Sequence, residues 1–113
     1  MAQTPEGRVK AAVKKLLRLY EPDLKFDMPV PYGYGRSTVD FIGVYKGAGF
    51  CIETKAPGKR PSALQEDFIQ EWQRAGGVAF VIAGSTKQDL AGLLGWLQRG
   101  AWTPCEFPER PII

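Results

Sequence analysis

Apolar residues recur every three to four positions early in the chain, at Val9, Ala12, Val13, Leu16, Leu17 and Tyr20, and this spacing predicts an amphipathic helix. Thr4 is its N-cap, and Pro5 takes the first helical position, where a missing N–H removes no hydrogen bond. Glu21-Pro22-Asp23 ends it near Tyr20. Residues 24–30 then read as a short strand, with Pro29 arguing for a sheet edge or a bulge. Residues 39–45 and 50–55 predict two strands joined by a turn over Lys46-Gly47-Ala48-Gly49. A second helix opens at Ser62, which has capping-box spacing to Gln65, and buries Leu64, Phe68, Ile69, Trp72 and Ala75 before Gly76-Gly77 stops it. Residues 78–82 form an unbroken apolar run suited to a strand buried on both faces, so strand, helix and strand imply a parallel right-handed crossover. Ser85 to Gln88 repeats the capping pattern, and Leu90, Leu93, Leu94 and Leu97 predict a third helix ending near Gly100.

The predicted hairpin carries the chemistry. With Tyr45 opposite Phe50, Asp40 stands opposite Lys55 and Glu53 is its diagonal neighbour on the same face. Diagonal neighbours are about 7–8 Å apart at the backbone, so two carboxylates placed this way can converge on one cation. The plainer reading is an ordinary Asp40–Lys55 ion pair with Glu53 exposed to water. Ile42, Val44 and Cys51 share the face of the charges, however, while Val39, Phe41, Tyr45, Phe50 and Ile52 occupy the other. Both faces are apolar enough to be covered, and charges at the end of a covered face mark functional sites.

A chain of 113 residues, 44% of them hydrophobic, fits one domain over residues 1–113 with a single core. The net charge of +3 is modest, but its distribution is uneven. Arg8, Lys10, Lys14, Lys15 and Arg18 follow one another with no acid between them, and Lys55, Lys59 and Arg60 cluster after the hairpin. Together these clusters suit a polyanion; taken separately, each is a solvated helix face or a basic loop. The loop before Asp40 contains Tyr34 and Arg36 among glycines, a composition for stacking on bases and gripping phosphates, or for a plain flexible connection. Two cysteines and no histidine exclude the usual zinc sites and histidine-dependent nucleophile systems, leaving oxygen ligands. No apolar run is long enough to span a bilayer and no secretory signal opens the chain, so a reduced, cytoplasmic location is expected.

Glu6 lies three residues before Val9 and so continues the apolar stripe of the first helix; it either points inward or complements the helix dipole. In order, the chain then presents this helix-borne Glu6, Asp40, Glu53-Thr54-Lys55, a helix opening with Leu64-Gln65, and a buried strand after Ala75-Gly76-Gly77. This order resembles the PD-(D/E)xK nuclease superfamily, and more closely the small stand-alone VRR-NUC (virus-type replication-repair nuclease) domains of phages and bacteria. The likeness runs from Thr4-Pro5-Glu6-Gly7 through Val39-Asp40-Phe41-Ile42 and residues 52–59 to Ala75-Gly76-Gly77-Val78-Ala79, leaves the tail after Gly100 uncovered, and departs at Thr38-Val39, where the family usually has a Gly-x-Pro lead into its aspartate.

The resemblance implies an α/β fold with a three-layer restriction-endonuclease-like core, a mixed central sheet flanked by helices. It implies Asp40 and Glu53 as Mg²⁺ ligands, for which Mn²⁺ substitutes, with the main-chain carbonyl of Thr54 as a further ligand. Lys55 would orient or activate water, and Glu6 and Gln65 would complete the catalytic set. Arg8, Lys10, Lys14, Lys15, Tyr34, Arg36, Lys59 and Arg60 are the expected DNA contacts. The implied activity is Mg²⁺-dependent endonucleolytic cleavage of branched or double-stranded DNA, foremost Holliday junctions, with flap cleavage also supported. A non-catalytic DNA-binding module retaining the fold is the alternative, and an unrelated α/β interaction domain is a third. Two symmetric nicks at a junction imply a homodimer, for which Trp96, Trp102, Phe107, Ile112 and Ile113 offer an apolar interface; the alternative is a tail that folds back on its own subunit and completes a small core.

Overall fold

The computed structural model describes residues 3–30 and 39–100. The elements, in order, are α1 (Pro5–Arg18), β1 (Leu24–Asp27), β2 (Phe41–Tyr45), β3 (Ala48–Thr54), α2 (Ala63–Arg74), β4 (Val78–Ile82) and α3 (Lys87–Gln98). Thr4 caps α1 by accepting a hydrogen bond from the Gly7 N–H, with Pro5 in the first turn as expected. Ser62 and Gln65 form the capping box of α2. The cap of α3 falls one residue later than the sequence suggests: Thr86 and Asp89 form it, because the Asp89 carboxylate reaches the Thr86 N–H.

The strands form one mixed sheet of order β1-β2-β3-β4, antiparallel from β1 to β3 and parallel between β3 and β4. Among the described residues β1 is one edge of the sheet, and it ends at Asp27, short of the expected residue 30, so that Pro29 lies beyond the strand. The position of β4 corrects an expectation, since among the described residues it is the other edge, with Val81 47% exposed. An apolar run signals a covered strand but does not say that both neighbours are present.

Two aromatic-rich layers cover the sheet. On one face Val9, Val13 and Leu17 of α1 and Leu93, Trp96 and Leu97 of α3 pack on Phe41, Tyr45, Phe50, Ile52 and Ile82. On the other face Ile69, with Phe68 and Trp72, packs α2 onto Cys51, Ile42 and Ala79. The fold is thus mixed α/β with helices on both sides of the sheet. Leu64 and Ala75 are exposed, so the buried face of α2 is narrower than its pattern implies. Trp96 is buried rather than displayed: its ring meets Tyr45, Phe50 and Phe80 edge-on at 5.4 to 5.7 Å between centroids. Leu93, Trp96 and Leu97 stand at i, i+3 and i+4, so the core stripe of α3 runs through the tryptophan, and Trp96 is removed from any interface. The remaining interface candidates, Trp102, Phe107, Ile112 and Ile113, lie outside the described residues.

The hairpin turn is tighter than its four-residue expectation. Lys46 and Gly47 both adopt positive φ, 49° and 84°, as a two-residue type I′ connection requires, and Ala48 and Gly49 join β3. Tyr45 therefore pairs with Ala48 instead of Phe50. The shift of two residues preserves which face each side chain occupies, so the expected sidedness survives although the partners change. Val39 is an exception: it precedes β2, leaves the alternation, and packs with Cys51 and Ile69.

Candidate active site

The ladder between β2 and β3 ends at Phe41 opposite Ile52, which brings Asp40 to the position facing Glu53. The predicted Asp40–Lys55 opposition is thereby replaced by two carboxylates face to face at the end of the hairpin. Asp40 is fixed there by Thr54: its Oδ2 accepts from the Thr54 N–H at 2.9 Å and from the Thr54 hydroxyl. Thr54 is itself wholly buried, and the next N–H, that of Lys55, is held by the Ile82 carbonyl of β4 at 2.9 Å. The parallel strand thus steadies the backbone that steadies Asp40.

Glu53 is 1% exposed. Its Oε2 lies 3.2 Å from Lys55 Nζ, while Oε1 is buried with no hydrogen-bond partner among the described residues. Burial, then the charge of Asp40, push its carboxyl from the ordinary 4.5 up to about 7, against the opposing pull of Lys55. Glu53 therefore takes up a proton far more readily than an ordinary carboxyl. A buried carboxylate oxygen without a partner is costly, and it is the place where a proton, a water or a cation relieves the cost. Next to it, burial and then the charge of Glu53 push the Cys51 thiol up to about 12, so Cys51 is an inert core side chain and not a nucleophile.

Lys10 joins this group. Its Nζ lies 3.3 Å from Asp40 Oδ1, with the side chain of Lys10 37% exposed. The charge run of α1 conceals this contact, because a lysine among lysines reads as solvated. The spacing did contain the signal, since Lys10 is one turn on from Glu6, flanks Val9, and so lies at the border of the buried stripe.

Other expected site residues are placed differently. Glu6 is half-buried in the first turn of α1, and among the described residues no three acidic, cysteine or histidine side chains gather as a metal cluster, so a convergence of Glu6 with Asp40 and Glu53 is not found. Gln65 accepts the Ser62 N–H with its side-chain oxygen at 2.9 Å, the capping role. Arg8, Lys15, Lys59 and Arg60 are exposed and Lys14 is half-buried. Tyr34 and Arg36 lie outside the described residues. No helix among the described residues is long and apolar enough to cross a membrane. The chain matches no protein-family model and no curated protein.

Proposed function

We propose that the protein is a divalent-metal-dependent endonuclease that hydrolyses phosphodiester bonds of branched DNA, foremost four-way junctions, on the VRR-NUC plan. The observation that carries this reading is the pairing of Asp40 with a buried Glu53 whose Oε1 has no partner, beside Lys55. Hard oxygen donors with one unsatisfied oxygen fit Mg²⁺, which keeps several waters and needs only one or two carboxylates. Asp40, Glu53 and the Thr54 main-chain carbonyl would hold it, and Mn²⁺ would substitute. Bound there, the ion would neutralise phosphate charge and supply an acidified water.

The chain's own groups do the rest. Thr54 holds the Asp40 carboxylate in one orientation through two hydrogen bonds, so the carboxylate itself need not turn on binding. Lys55, its side chain 19% exposed and tied to Glu53, sets a positive charge beside the place where negative charge develops on the attacked phosphate. Arg8, Lys14, Lys15, Lys59 and Arg60 would carry the sequence-independent attraction to the DNA backbone. A homodimer would supply the two nicks that junction resolution takes.

A second reading, a DNA-binding module without catalysis, has in its favour that Lys10 and Lys55 already give each carboxylate a cationic partner. Labelled junction, flap and linear duplex DNA, each incubated with Mg²⁺ or with EDTA, separate the two. Cleavage of the junction in Mg²⁺ alone supports the nuclease; binding without cleavage in any condition supports the module.

A further inference from the structure

Asp40 has two oxygens with different neighbours. Oδ2 is taken by the Thr54 N–H and hydroxyl, which leaves Oδ1 as the oxygen turned toward cations. Lys10 Nζ stands 3.3 Å from that oxygen. Lys55 does not share it, being held 3.2 Å from Glu53 Oε2. A cation held by Asp40 and Glu53 would draw on the Asp40 oxygen that Thr54 leaves open, and that is where the Lys10 ammonium stands.

We propose that Lys10 and a divalent cation compete for Asp40 Oδ1, so that Lys10 is a displaceable resident cation that sets how tightly the site takes metal. The inference rests on the metal-dependent reading above and adds a residue to it. Lys10 is suited to leaving. Its side chain is 37% exposed at the end of a flexible four-carbon stem, so a withdrawn ammonium passes into water. An ion pair of that exposure is weak, and a divalent ion with two carboxylate ligands outcompetes it. Withdrawn from Asp40, Lys10 still stands on α1 one turn before Lys14, and its charge adds to the attraction for a phosphate backbone. The same side chain thereby balances the carboxylates before metal arrives and serves the substrate afterwards. Lys10 is a positioning residue in this scheme, acting through Asp40 and not on the reacting atoms.

The test is calorimetric titration of MnCl₂ into the full chain at low salt, comparing wild type with Lys10→Met, Lys10→Gln, Lys10→Arg and Lys14→Met. Methionine keeps the apolar stem and removes the charge; glutamine serves if Lys10→Met does not fold. The expected result is a Kd for Mn²⁺ lowered about five-fold in Lys10→Met or Lys10→Gln. Lys10→Arg and Lys14→Met should stay within about two-fold of wild type, since one keeps the charge at Asp40 and the other lies a turn away. A Kd in Lys10→Met equal to or weaker than wild type, with wild type binding Mn²⁺, overturns the competition and leaves the metal reading standing. Wild type that takes up no Mn²⁺ overturns both.

Discussion

Asp40 and Thr54 are joined by two hydrogen bonds across the open end of the β2–β3 hairpin, both received by one carboxylate oxygen. Thr54 is buried, so its hydroxyl has no water to turn to and its donation to a charged acceptor contributes fully. Thr54→Val, which keeps the shape and the N–H bond but removes the hydroxyl, should lower stability by about 1–3 kcal/mol. Thr54→Ser should recover most of it. Urea denaturation checks both, and a Thr54→Val protein as stable as wild type would show that the hydroxyl does not hold Asp40.

Glu53 gives the protein an unusual dependence on pH. Its folded pKa, about 7, lies above the ordinary 4.5, so between these values the folded chain binds more protons than the unfolded one. The stabilising contribution is therefore complete below pH 4.5, falls as pH rises through that window, and is gone above pH 7. The loss is on the order of 3 kcal/mol. Denaturation midpoints at pH 5 and pH 8 should differ less in Glu53→Gln than in wild type, because the glutamine has no proton to lose. An equal difference in the two proteins would contradict the burial argument.

Metal should act on the same group in the opposite sense. Binding at Glu53 requires the deprotonated carboxylate, so the rise in melting temperature caused by Mg²⁺ or Mn²⁺ should be larger at pH 8 than at pH 6. Thermal melts with 1:1 EDTA controls test it; a metal effect independent of pH would separate Glu53 from the ligand set.

Gly43 sits in the centre of β2, where a Cβ would come within 2.3 Å of the Lys25 carbonyl oxygen and 2.7 Å of the Phe50 ring. Backbone on one side and a buried ring on the other leave little to yield. Gly43→Ala should cost about 1–3 kcal/mol and loosen the strand that leads back to Asp40. Equilibrium unfolding of that variant, with wild-type stability as the contradicting result, checks the close approach.

Trp96 separates the core from the assembly. Trp96→Ala should destabilise by about 3–5 kcal/mol, since it removes the ring between Tyr45, Phe50 and Phe80, yet should leave the sedimentation behaviour of the folded protein unchanged. If the protein is a dimer, a chain ending at Gly100 should sediment as a monomer. A full-length chain that stays monomeric at micromolar concentration, with and without junction DNA, would remove the dimer.

Much of the architecture is legible in the pattern of the chain. Caps at Thr4 and Ser62 and the stripe Val9-Val13-Leu17 are local signals, and local physics decides them. The sidedness of Asp40 and Glu53 is legible for a similar reason, because strand alternation has period two and survives a register error of two. The register itself is not, since Lys46-Gly47-Ala48-Gly49 admits either a four-residue or a two-residue turn, and the sequence pattern is the same for both. Nor is the partner of Asp40 legible: Thr54 and Lys10 reach it from another strand and from a helix distant in sequence. Trp96 was readable from its i, i+3, i+4 relation to Leu93 and Leu97, although the leucines alone draw the eye to a different stripe.

On the proposed reading, Asp40, Glu53 and Lys55 form a metal-dependent hydrolytic site. It is tested most directly by cleavage of an end-labelled four-way junction by wild type, Asp40→Asn, Glu53→Gln and Lys55→Ala, each with Mg²⁺ and with EDTA. Wild type should make paired nicks in Mg²⁺ only, and each variant should lose at least about 100-fold with junction binding retained. Near-wild-type cleavage by Asp40→Asn, or cleavage by wild type in EDTA, would contradict it.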